Sequence, residues 1–241
     1  MISRSRLQEF VLRSFLEAAR SVIPVSILEK AALPDWPGYE AIRPAAYEQA
    51  KLCTLFVDMR GSTVRALEVG AVSTFLTMHT LLPTVGYVVS QYRGIVPQYR
   101  GDGAISIFGL PVKGRAPAIG EAVQNAAFAA AGIQHAITEM VNPTLEKVKI
   151  APVECGIGVD AGEVIVTRVV APESDETLCF GESVNRASKL CDDARGGEVL
   201  ITQTAARLWP NVEPGASGIH LGPRDGDVLS VPWRDMSVFI D

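Results

Sequence analysis

The chain is poor in cysteine and lacks the spacings in which cysteine builds structure. Its 241 residues include four cysteines at widely separated positions, with no C-x-x-C pair. Such spacing signals neither a zinc site nor a disulfide framework. We therefore expect four reduced and mostly buried thiols, at Cys53, Cys155, Cys179 and Cys191.

An excess of positive charge is also missing. The 22 lysines and arginines are outnumbered by 27 acidic residues, which gives a formal net charge of −5. Because a nucleic-acid-binding surface normally needs a basic patch, we expect no nucleic-acid partner.

Long apolar runs are absent as well. The longest strongly apolar stretch, AAFAAAGI from Ala126, is too short to cross a bilayer. The first ten residues carry charges where a signal peptide needs its apolar segment. We expect no transmembrane segment and a cytoplasmic location. With 48% hydrophobic and 20% charged residues, the chain has the composition of a globular protein.

A short N-terminal extension, residues 1–45, precedes the main domain. Apolar side chains recur at helical spacing between residues 5 and 22, which predicts an amphipathic helix. This helix either packs on its own domain or on a twin subunit, or it docks on a membrane surface or a partner. Prolines break the periodicity between residues 24 and 44. We assign residues 46–241 to the main domain.

The main domain begins with a strand, a helix and a hairpin. The apolar run LCTLFVDM at 52–59 predicts a strand, and Ser62 or Thr63 can cap the helix that follows. Pro83 predicts a kink or a break in that helix. The stretch GIVPQYRGDGAISIFG at 94–109 alternates apolar and polar residues around Gly-Asp-Gly, which is the pattern of a tight β-hairpin.

The second half adds elements in an order that defines the fold class. A run of helix formers covers 121–141, and the segment 148–170 is predicted as two strands joined through the Asp-Ala-Gly at 160–162. The acidic stretch APESDET at 171–177 is predicted as a mobile loop. A helix that ends near the glycine pair at 196–197, a strand and another helix follow. This order predicts an α+β, ferredoxin-like split βαβ core, preceded by the N-terminal helical extension.

Two aspartates of this core are candidates for a metal site. Asp58 closes the first strand and Asp102 lies in the hairpin turn. Each has a purely structural explanation, because aspartate caps helices and favours turns. In a split βαβ core, however, the first strand and the hairpin lie side by side, so the two carboxylates can converge. Paired carboxylates suit Mg²⁺ or Mn²⁺ carrying a nucleoside triphosphate, and two such ions support nucleotidyl or phosphoryl transfer.

Four ordered motifs resemble the catalytic domain of class III nucleotide cyclases. They are LFVDMRGST, QYRGDGAISIFG, CGIGVDAGEVIV, and FGESVNRASKL followed by GGEVLITQTA, and the resemblance covers roughly residues 48–241. Four motifs in one order are a far more specific signal than any single motif. The resemblance implies a homodimer with composite active sites, in which one chain supplies two metal-binding aspartates and a helix of the other supplies an asparagine and an arginine.

The resemblance also assigns metal ligands by position. They match Asp58 and Asp102, and Met59 is implied to offer its backbone carbonyl to one of two Mn²⁺ or Mg²⁺ ions. The implied reaction is attack of the ribose 3′-oxygen of a nucleoside triphosphate on the α-phosphate. Pyrophosphate is released, and the product is a 3′,5′-cyclic nucleotide.

The implied catalytic pair is Asn185 and Lys189, of which the second departs from the family. The two residues are four positions apart and therefore share a helix face. Lys189 stands where the family has arginine, so the charge is kept but the planar fork is lost. This departure predicts a weakened contact to the transition state.

The base-reading positions depart further. Adenylate cyclases of the family carry lysine four residues before the second metal aspartate, and aspartate or threonine seven residues before the asparagine; guanylate cyclases use glutamate at the first position. Here these positions are Gln98 and Leu178. Leu178 cannot hydrogen-bond a purine, so the purine-selecting pair is missing. Either catalysis has been lost or the domain selects another base.

The residues before Asp102 favour a pyrimidine. Strand alternation places Gln98 and Arg100 on one face, where a long donor can reach the O2 or O4 carbonyl of uracil; the alternative for Arg100 is an exposed ion pair. QYRGDG in a domain with no recognisable sensor resembles the bacterial pyrimidine cyclases of anti-phage defence, the Pycsar systems, in which cCMP or cUMP activates a separate effector protein. With Gln98, Tyr99 and Arg100 near the base, we favour UTP as substrate and cUMP as product, with cytidylate or adenylate cyclase as alternatives.

Three arginines are further candidates. Arg234 lies near the position where the family has a lysine for the terminal phosphates, and it is either a phosphate ligand or a surface residue. Arg60 and Arg65 follow the first metal aspartate near a helix start, where they either meet phosphate oxygens or are solvated. The rival hypothesis is a catalytically inactive cyclase-like module that binds nucleotide or a partner, and the retention of both aspartates argues against it.

Overall fold

One mixed sheet organises the protein. The computed structural model describes residues 1–22, 47–111, 117–171, 174–210 and 219–240. The proline-rich stretch between residues 24 and 44, predicted as a loop, lies outside them. The strands are β1 (Ile2–Ser3), β2 (Tyr47–Met59), β3 (Gly94–Arg100), β4 (Gly103–Phe108), β5 (Cys155–Ala171), β6 (Ser174–Phe180), β7 (Val199–Thr202), β8 (Gly222–Pro223), β9 (Val228–Ser230) and β10 (Phe239–Ile240). The helices are α1 (Arg4–Val22), α2 (Ser62–Gln91), α3 (Ile119–Ala136), α4 (Asn142–Glu146), α5 (Glu182–Asp193) and α6 (Gln203–Leu208).

The centre of the sheet is the predicted split βαβ unit. β2, α2, the β3–β4 hairpin, α3 and β5 follow one another along the chain. The sheet order is β3-β4-β2-β5-β7-β9-β8, with β6 paired to β5. β2 pairs antiparallel with β4 on one side and with β5 on the other, and β5 pairs in parallel with β7. The predicted α+β, ferredoxin-like fold class is confirmed.

The two faces of the sheet are covered differently. α2 and α3 cover one face, where the main hydrophobic cluster includes Val57 and Val85. α5 covers the other face through a smaller cluster that includes Leu52 and Val184. Because side chains alternate along a strand, Asp58 lies on the α5 side.

Helix α1 packs on its own domain. The amphipathic helix predicted between residues 5 and 22 is observed at Arg4–Val22. Its buried residues Leu7, Val11 and Phe15 join the main cluster, and the helix packs against α2. β1 pairs in parallel with β10, so the first strand of the chain is held beside the last.

Other predicted elements are also observed. The helix predicted at 121–141 corresponds to α3, which continues through a π-helical turn at Ile137–Val141 into α4. α5 ends at Asp193, slightly before the predicted glycine pair. All four cysteines are free thiols, and three of them are buried while Cys179 is half-buried.

Two predicted connections are wrong. The Asp-Ala-Gly at 160–162 is not a turn, because β5 runs through it without a break and pairs with β2 along the whole stretch. Pairing along a neighbouring strand overrides the local turn signal here. Within the predicted acidic loop, residues 174–177 belong to β6, which pairs with the end of β5. Residues 172–173 of that loop lie outside the described residues.

The start and the break of α2 also differ from prediction. The residue before the helix is Gly61, at a φ of 67°, and no side chain caps the first turn, so neither Ser62 nor Thr63 acts as the cap. The backbone leaves helical geometry at Gly70, at a φ of 78°, whereas Pro83 lies inside the helix. Glycine adopts a positive φ at no steric cost, which explains why the break occurs at that position.

Within the described part of the chain, α2 is the one helix long and apolar enough to cross a membrane. Of its most apolar stretch, 44% is buried inside the protein. The helix packs against α1, α3 and β3.

Candidate active site

Asp58 and Asp102 lie at the same edge of the sheet. Asp58 pairs with Gly103 at the end of the β2–β4 ladder, and Asp102 lies in the two-residue turn between Arg100 and Gly103. Gly101 has a φ of 58°, the left-handed conformation that a tight hairpin turn needs at its first central residue. A Cβ at position 103 would lie 2.9 Å from Oδ1 of Asp58, so glycine there leaves room for the carboxylate. The predicted hairpin is confirmed, and its turn brings the two carboxylates to one edge.

The charge at this edge is unfavourable for two ionised carboxylates alone. Burial raises the pKa of Asp58, and the negative charges of Asp102 and Asp192 raise it further. Arg60 acts in the opposite direction, because its Nη2 lies 3.2 Å from Oδ2 of Asp58. The net effect is a pKa above the ordinary value. A bound cation would relieve this repulsion.

The residues at this edge fit a divalent cation. In nucleotide sites, Mg²⁺ is bound through one or two carboxylates while water and substrate phosphates complete its shell. Across the described ranges, no cluster of three or more His, Cys, Asp or Glu side chains is placed to hold a metal. Asp58 and Asp102 would therefore supply the protein carboxylates. Met59, the predicted carbonyl ligand, is the last residue of β2, and its side chain is buried in the core.

Asn185 and Lys189 lie on the exposed side of α5. Among the hydrogen bonds and ion pairs of the described residues, none joins either side chain to the metal-edge carboxylates. The guanidinium of Arg60 reaches the backbone oxygen of Asp192 at 3.4 Å. Asn185 lies two turns before that point, about 10 Å along the helix axis. Within one chain, the structure does not bring Asn185 to the metal edge.

Gln98 and Arg100 share one face of β3. Nε of Arg100 donates a hydrogen bond to Oε1 of Gln98 at 3.2 Å. A bulge between Ile95 and Gln98 inserts one extra residue in β3, a device that re-aims side chains near functional sites. Tyr99 lies on the opposite face, where a Cβ at position 86 of α2 would lie 2.5 Å from its hydroxyl oxygen. The structure therefore brings Gln98 and Arg100 together and separates Tyr99 from them.

Leu178 is half-buried on β6, opposite Thr167 of β5. β6 also contacts β3, although β4, β2 and β5 lie between these two strands in the sheet order. On the same part of the surface, Phe180 is 52% exposed and its pairing partner Ile165 is 38% exposed.

The three arginine candidates lie in three different settings. Arg60 contacts the metal edge, as described above. Arg65 donates to the backbone carbonyl of Pro152 at 3.0 Å and so contributes to the structure of a loop. Arg234 is exposed, with its guanidinium 4.4 Å from the ring centre of Trp233, in a cleft beside the loop that follows α5.

An unpredicted ion pair lies beneath α5. Asp160 of β5 is fully buried and accepts a hydrogen bond from Nε of Arg186 at 2.7 Å. Its other oxygen accepts from the hydroxyl of Thr202. Arg186 directly follows Asn185, so the pair fixes the part of α5 that carries the predicted catalytic asparagine.

A period of two along β5 could have revealed this arrangement. Gly156, Gly158, Asp160 and Gly162 alternate on the face under α5. A Cβ at position 158 would overlap the carbonyl oxygen of Ala187. The spacing Gly-x-Gly-x-Asp-x-Gly therefore indicates a strand that lies tightly under a helix, with one polar side chain in the contact.

Comparison with known proteins agrees with these motifs. The profile of the adenylate and guanylate cyclase catalytic domain matches residues 45–228. Among curated relatives, the Mycobacterium tuberculosis proteins Rv1318c and Rv1320c are 31% and 29% identical over 161 and 148 residues. These alignments cover 66% and 61% of this chain but 27% and 24% of the relatives. The chain thus spans about a quarter of the length of these relatives.

Solved structures share the fold. The adenylyl cyclase CyaB from P. aeruginosa has a TM-score of 0.67 at 21% identity, covering 80% of this chain and 100% of that chain. The guanylyl cyclase Cya2 has a TM-score of 0.64 at 20% identity, covering 76% and 92%. A class III adenylyl cyclase-like ATP-binding protein from P. aeruginosa has a TM-score of 0.62 at 20% identity, covering 70% and 37%.

Proposed function

Because the chain belongs to the family of adenylate and guanylate cyclase catalytic domains, we propose that it is a metal-dependent nucleotide cyclase. The observation that carries the proposal is the meeting of Asp58 and Asp102 at one sheet edge, where their charges repel. Hairpin packing alone requires no carboxylate at both places. Two acids kept together at this position are explained by a cation that they share.

The proposed reaction is an intramolecular displacement at phosphorus. The ribose 3′-oxygen loses its proton and bonds to the α-phosphorus, the bond from that phosphorus to the bridging oxygen breaks, and pyrophosphate leaves. Mg²⁺ or Mn²⁺ ions, when bound, would activate the 3′-hydroxyl and stabilise the charge on the leaving oxygen. Asp58, Asp102 and the backbone carbonyl of Met59 would hold two such ions.

We propose that the active sites are shared between two copies of the chain. Asn185 and Lys189 are exposed, and Asn185 lies about 10 Å along the axis of α5 from the point where that helix meets Arg60 at the metal edge of its own chain. In a two-fold dimer, α5 of one copy would lie over the metal edge of the other, and symmetry would create two such sites. Asn185 would orient the substrate, and Lys189 would place a point charge near the transition state.

Exposed apolar side chains support a dimer. On β5 and β6, Ile165 is 38%, Val169 46% and Phe180 52% exposed. Adjacent apolar side chains on a surface mark interaction sites more often than single ones do. A second copy of the chain is the partner that composite sites require.

We further propose that the substrate is UTP and the product cUMP. Gln98 and Arg100 lie side by side at the exposed end of β3. Uracil presents two carbonyl acceptors, which suit an arginine and an amide donor. Leu178, on β6, gives a purine no hydrogen-bonding partner. Tyr99 would hold β3 against α2 beside this base-binding surface.

The proposed product defines a biological setting. A cyclic pyrimidine nucleotide would act as a second messenger in antiviral defence and be read by a separate effector protein. A cytoplasmic location would give access to nucleoside triphosphates. Arg234 would meet the terminal phosphates, because its exposed guanidinium lies in a cleft beside the loop after α5.

The proposal is tested by supplying each of the four ribonucleoside triphosphates with Mn²⁺ and identifying products by mass spectrometry. We expect 3′,5′-cyclic nucleotide and pyrophosphate, with cUMP dominant. Dominant cCMP or cAMP would support the proposed cyclase activity but refute the preference for UTP.

A nucleotide-binding module without catalysis is the second candidate. It is favoured by Lys189 in place of arginine and by the likeness to a cyclase-like ATP-binding protein. This candidate predicts that triphosphates bind, measured by calorimetry, while no pyrophosphate is released from any of them.

A further inference from the structure

Arg60 is held in a slot between the metal edge and the end of α5. Its Nε and Nη2 donate to the backbone oxygen of Asp58 at 3.3 and 3.2 Å, and Nη2 also reaches Oδ2 of the same residue at 3.2 Å. Nη1 donates to the backbone oxygen of Asp192 at 3.4 Å, and Nη2 lies 3.6 Å from Sγ of Cys191. Four groups from β2 and α5 thus surround one guanidinium.

The slot depends on a missing side chain in β5. Gly156 pairs with Asp58, and a Cβ on this glycine would lie 3.0 Å from Nε and Cζ of Arg60. Glycine therefore provides the space in which the guanidinium lies. Consistent with this, the side chain of Arg60 is only 25% exposed.

The next arginine along the chain provides a contrast. Arg65 donates to the carbonyl of Pro152 and to Thr77, and it has no contact with the metal-edge carboxylates among the described residues. Its guanidinium carries the same charge a few residues away. Proximity in sequence therefore does not explain the contact of Arg60 with Asp58.

We propose that Arg60 is an internal counter-ion that competes with a divalent cation for Asp58. The inference rests on the proposed function, because it takes the edge formed by Asp58 and Asp102 as the metal site. Oδ2 of Asp58 cannot form a full ion pair with the guanidinium and coordinate a metal ion at the same time. Metal loading would therefore weaken the contact to the carboxylate, while the two backbone oxygens would keep Arg60 between β2 and α5.

In a dimer with composite sites, the position of Arg60 has a second consequence. Asp58 belongs to one proposed site, whereas α5 carries Asn185 and Lys189 of the other. Arg60 is in contact with both elements within one chain. A metal ion bound at one site would therefore weaken one contact of a residue that also contacts the helix serving the second.

The test is a Mn²⁺ titration of the nucleotide-free 241-residue protein, monitored by the electron paramagnetic resonance signal of free Mn²⁺. Arg60→Gln should bind Mn²⁺ about two- to fivefold more tightly than the wild type, the range expected for loss of a competing, partly exposed ion pair. Arg60→Lys should lie between them. Arg65→Gln, which removes the same charge, should bind like the wild type; thermal melting checks that each variant is folded.

The possible outcomes separate the inference from the proposed function. Equal or weaker Mn²⁺ binding by folded Arg60→Gln overturns the counter-ion role, even if the wild type makes a cyclic nucleotide. An equal gain in Arg65→Gln also overturns it, because general charge then explains the effect. Tighter binding by Arg60→Gln alone supports the inference, and it does so even if no triphosphate is cyclised.

Discussion

Two aspartate–arginine pairs lie on the same side of one sheet, in opposite surroundings. Asp160 is fully buried beneath α5 and lies 2.7 Å from Arg186. Asp58, at the sheet edge, is 38% exposed and lies 3.2 Å from Arg60. The buried carboxylate also accepts from Thr202, whereas the edge carboxylate faces a second acid, Asp102.

The difference in surroundings indicates a structural role for Asp160 and a chemical role for Asp58. A buried carboxylate that loses its partners leaves an uncompensated charge or an unfilled hydrogen bond, so such a pair is costly to break. An exposed pair contributes little to stability and can exchange partners. We infer that Asp160 seats the helix that carries Asn185, and that Asp58 is available to a cation.

The largest effect is expected from Asp58→Asn, which removes the proposed metal ligand. The cyclase rate should fall to below about one hundredth of the wild-type value, because metal stabilisation of the transition state is worth several kcal/mol. The rate of pyrophosphate release measures it. The protein should remain folded by circular dichroism. A variant that keeps more than half of the rate would contradict the role of this edge.

Asp160→Ala, in contrast, should mainly affect the stability of the protein. Because the carboxylate is buried and bonded to a charged group, its loss should lower the free energy of unfolding by about 2–3 kcal/mol. Urea denaturation measures the change. The matched control is Glu182→Gln, since Glu182 contacts Arg186 from the exposed side of α5 at 2.5 Å. This control should cost less than about 0.5 kcal/mol. Equal losses in the two variants would contradict the distinction.

Lys189→Arg tests the exposed side of the same helix. It restores the planar fork that suits a phosphate, so we expect a severalfold increase in kcat with little change in stability. Lys189→Gln, which removes the charge, should lower kcat. Steady-state kinetics on both variants decide the point. Identical rates for lysine, arginine and glutamine would exclude this side chain from the reaction.

The smallest effect concerns the pH dependence of stability. Burial and Asp102 raise the pKa of Asp58, so folding disfavours its ionised form. The contribution of this group to stability is present below its unfolded-state pKa of about 3.9 and is lost as pH rises through the raised folded-state pKa. In chelator at pH 7, Asp58→Asn should therefore melt slightly above the wild type. The gap should close near pH 4; a gap that stays constant with pH would rule out this explanation.

Much of the fold could be predicted from local patterns. The apolar run ending at Asp58, the Gly-Asp-Gly hairpin and the helical spacing of α1 and α3 each depend on neighbouring residues, which the sequence displays directly. The predictions were wrong where a strand distant in sequence determines the local conformation. The Asp-Ala-Gly at 160–162 has the residues of a turn, yet pairing with β2 holds it extended.

The candidate site also combines features that local sequence patterns predict with features that they do not. The approach of Asp58 to Asp102 follows from strand order and one turn, so it was predictable. The contacts of Arg60 with Asp58 and Asp192 could not be predicted in this way. They depend on how α5 packs over a glycine of β5, which is a feature of the tertiary structure. The separation of Tyr99 from Gln98 and Arg100 does follow from strand alternation, which assigns neighbouring positions to opposite faces.

The central claim is that the metal edge of one chain works with α5 of another. It is tested by mixing Asp58→Asn and Asn185→Ala, each inactive alone, in equal amounts under conditions that exchange subunits. Activity should return to about one quarter of the wild-type value, because half of the dimers would be mixed and each would hold one intact site. No recovery, despite mixed dimers detected by differential tagging, would contradict shared sites.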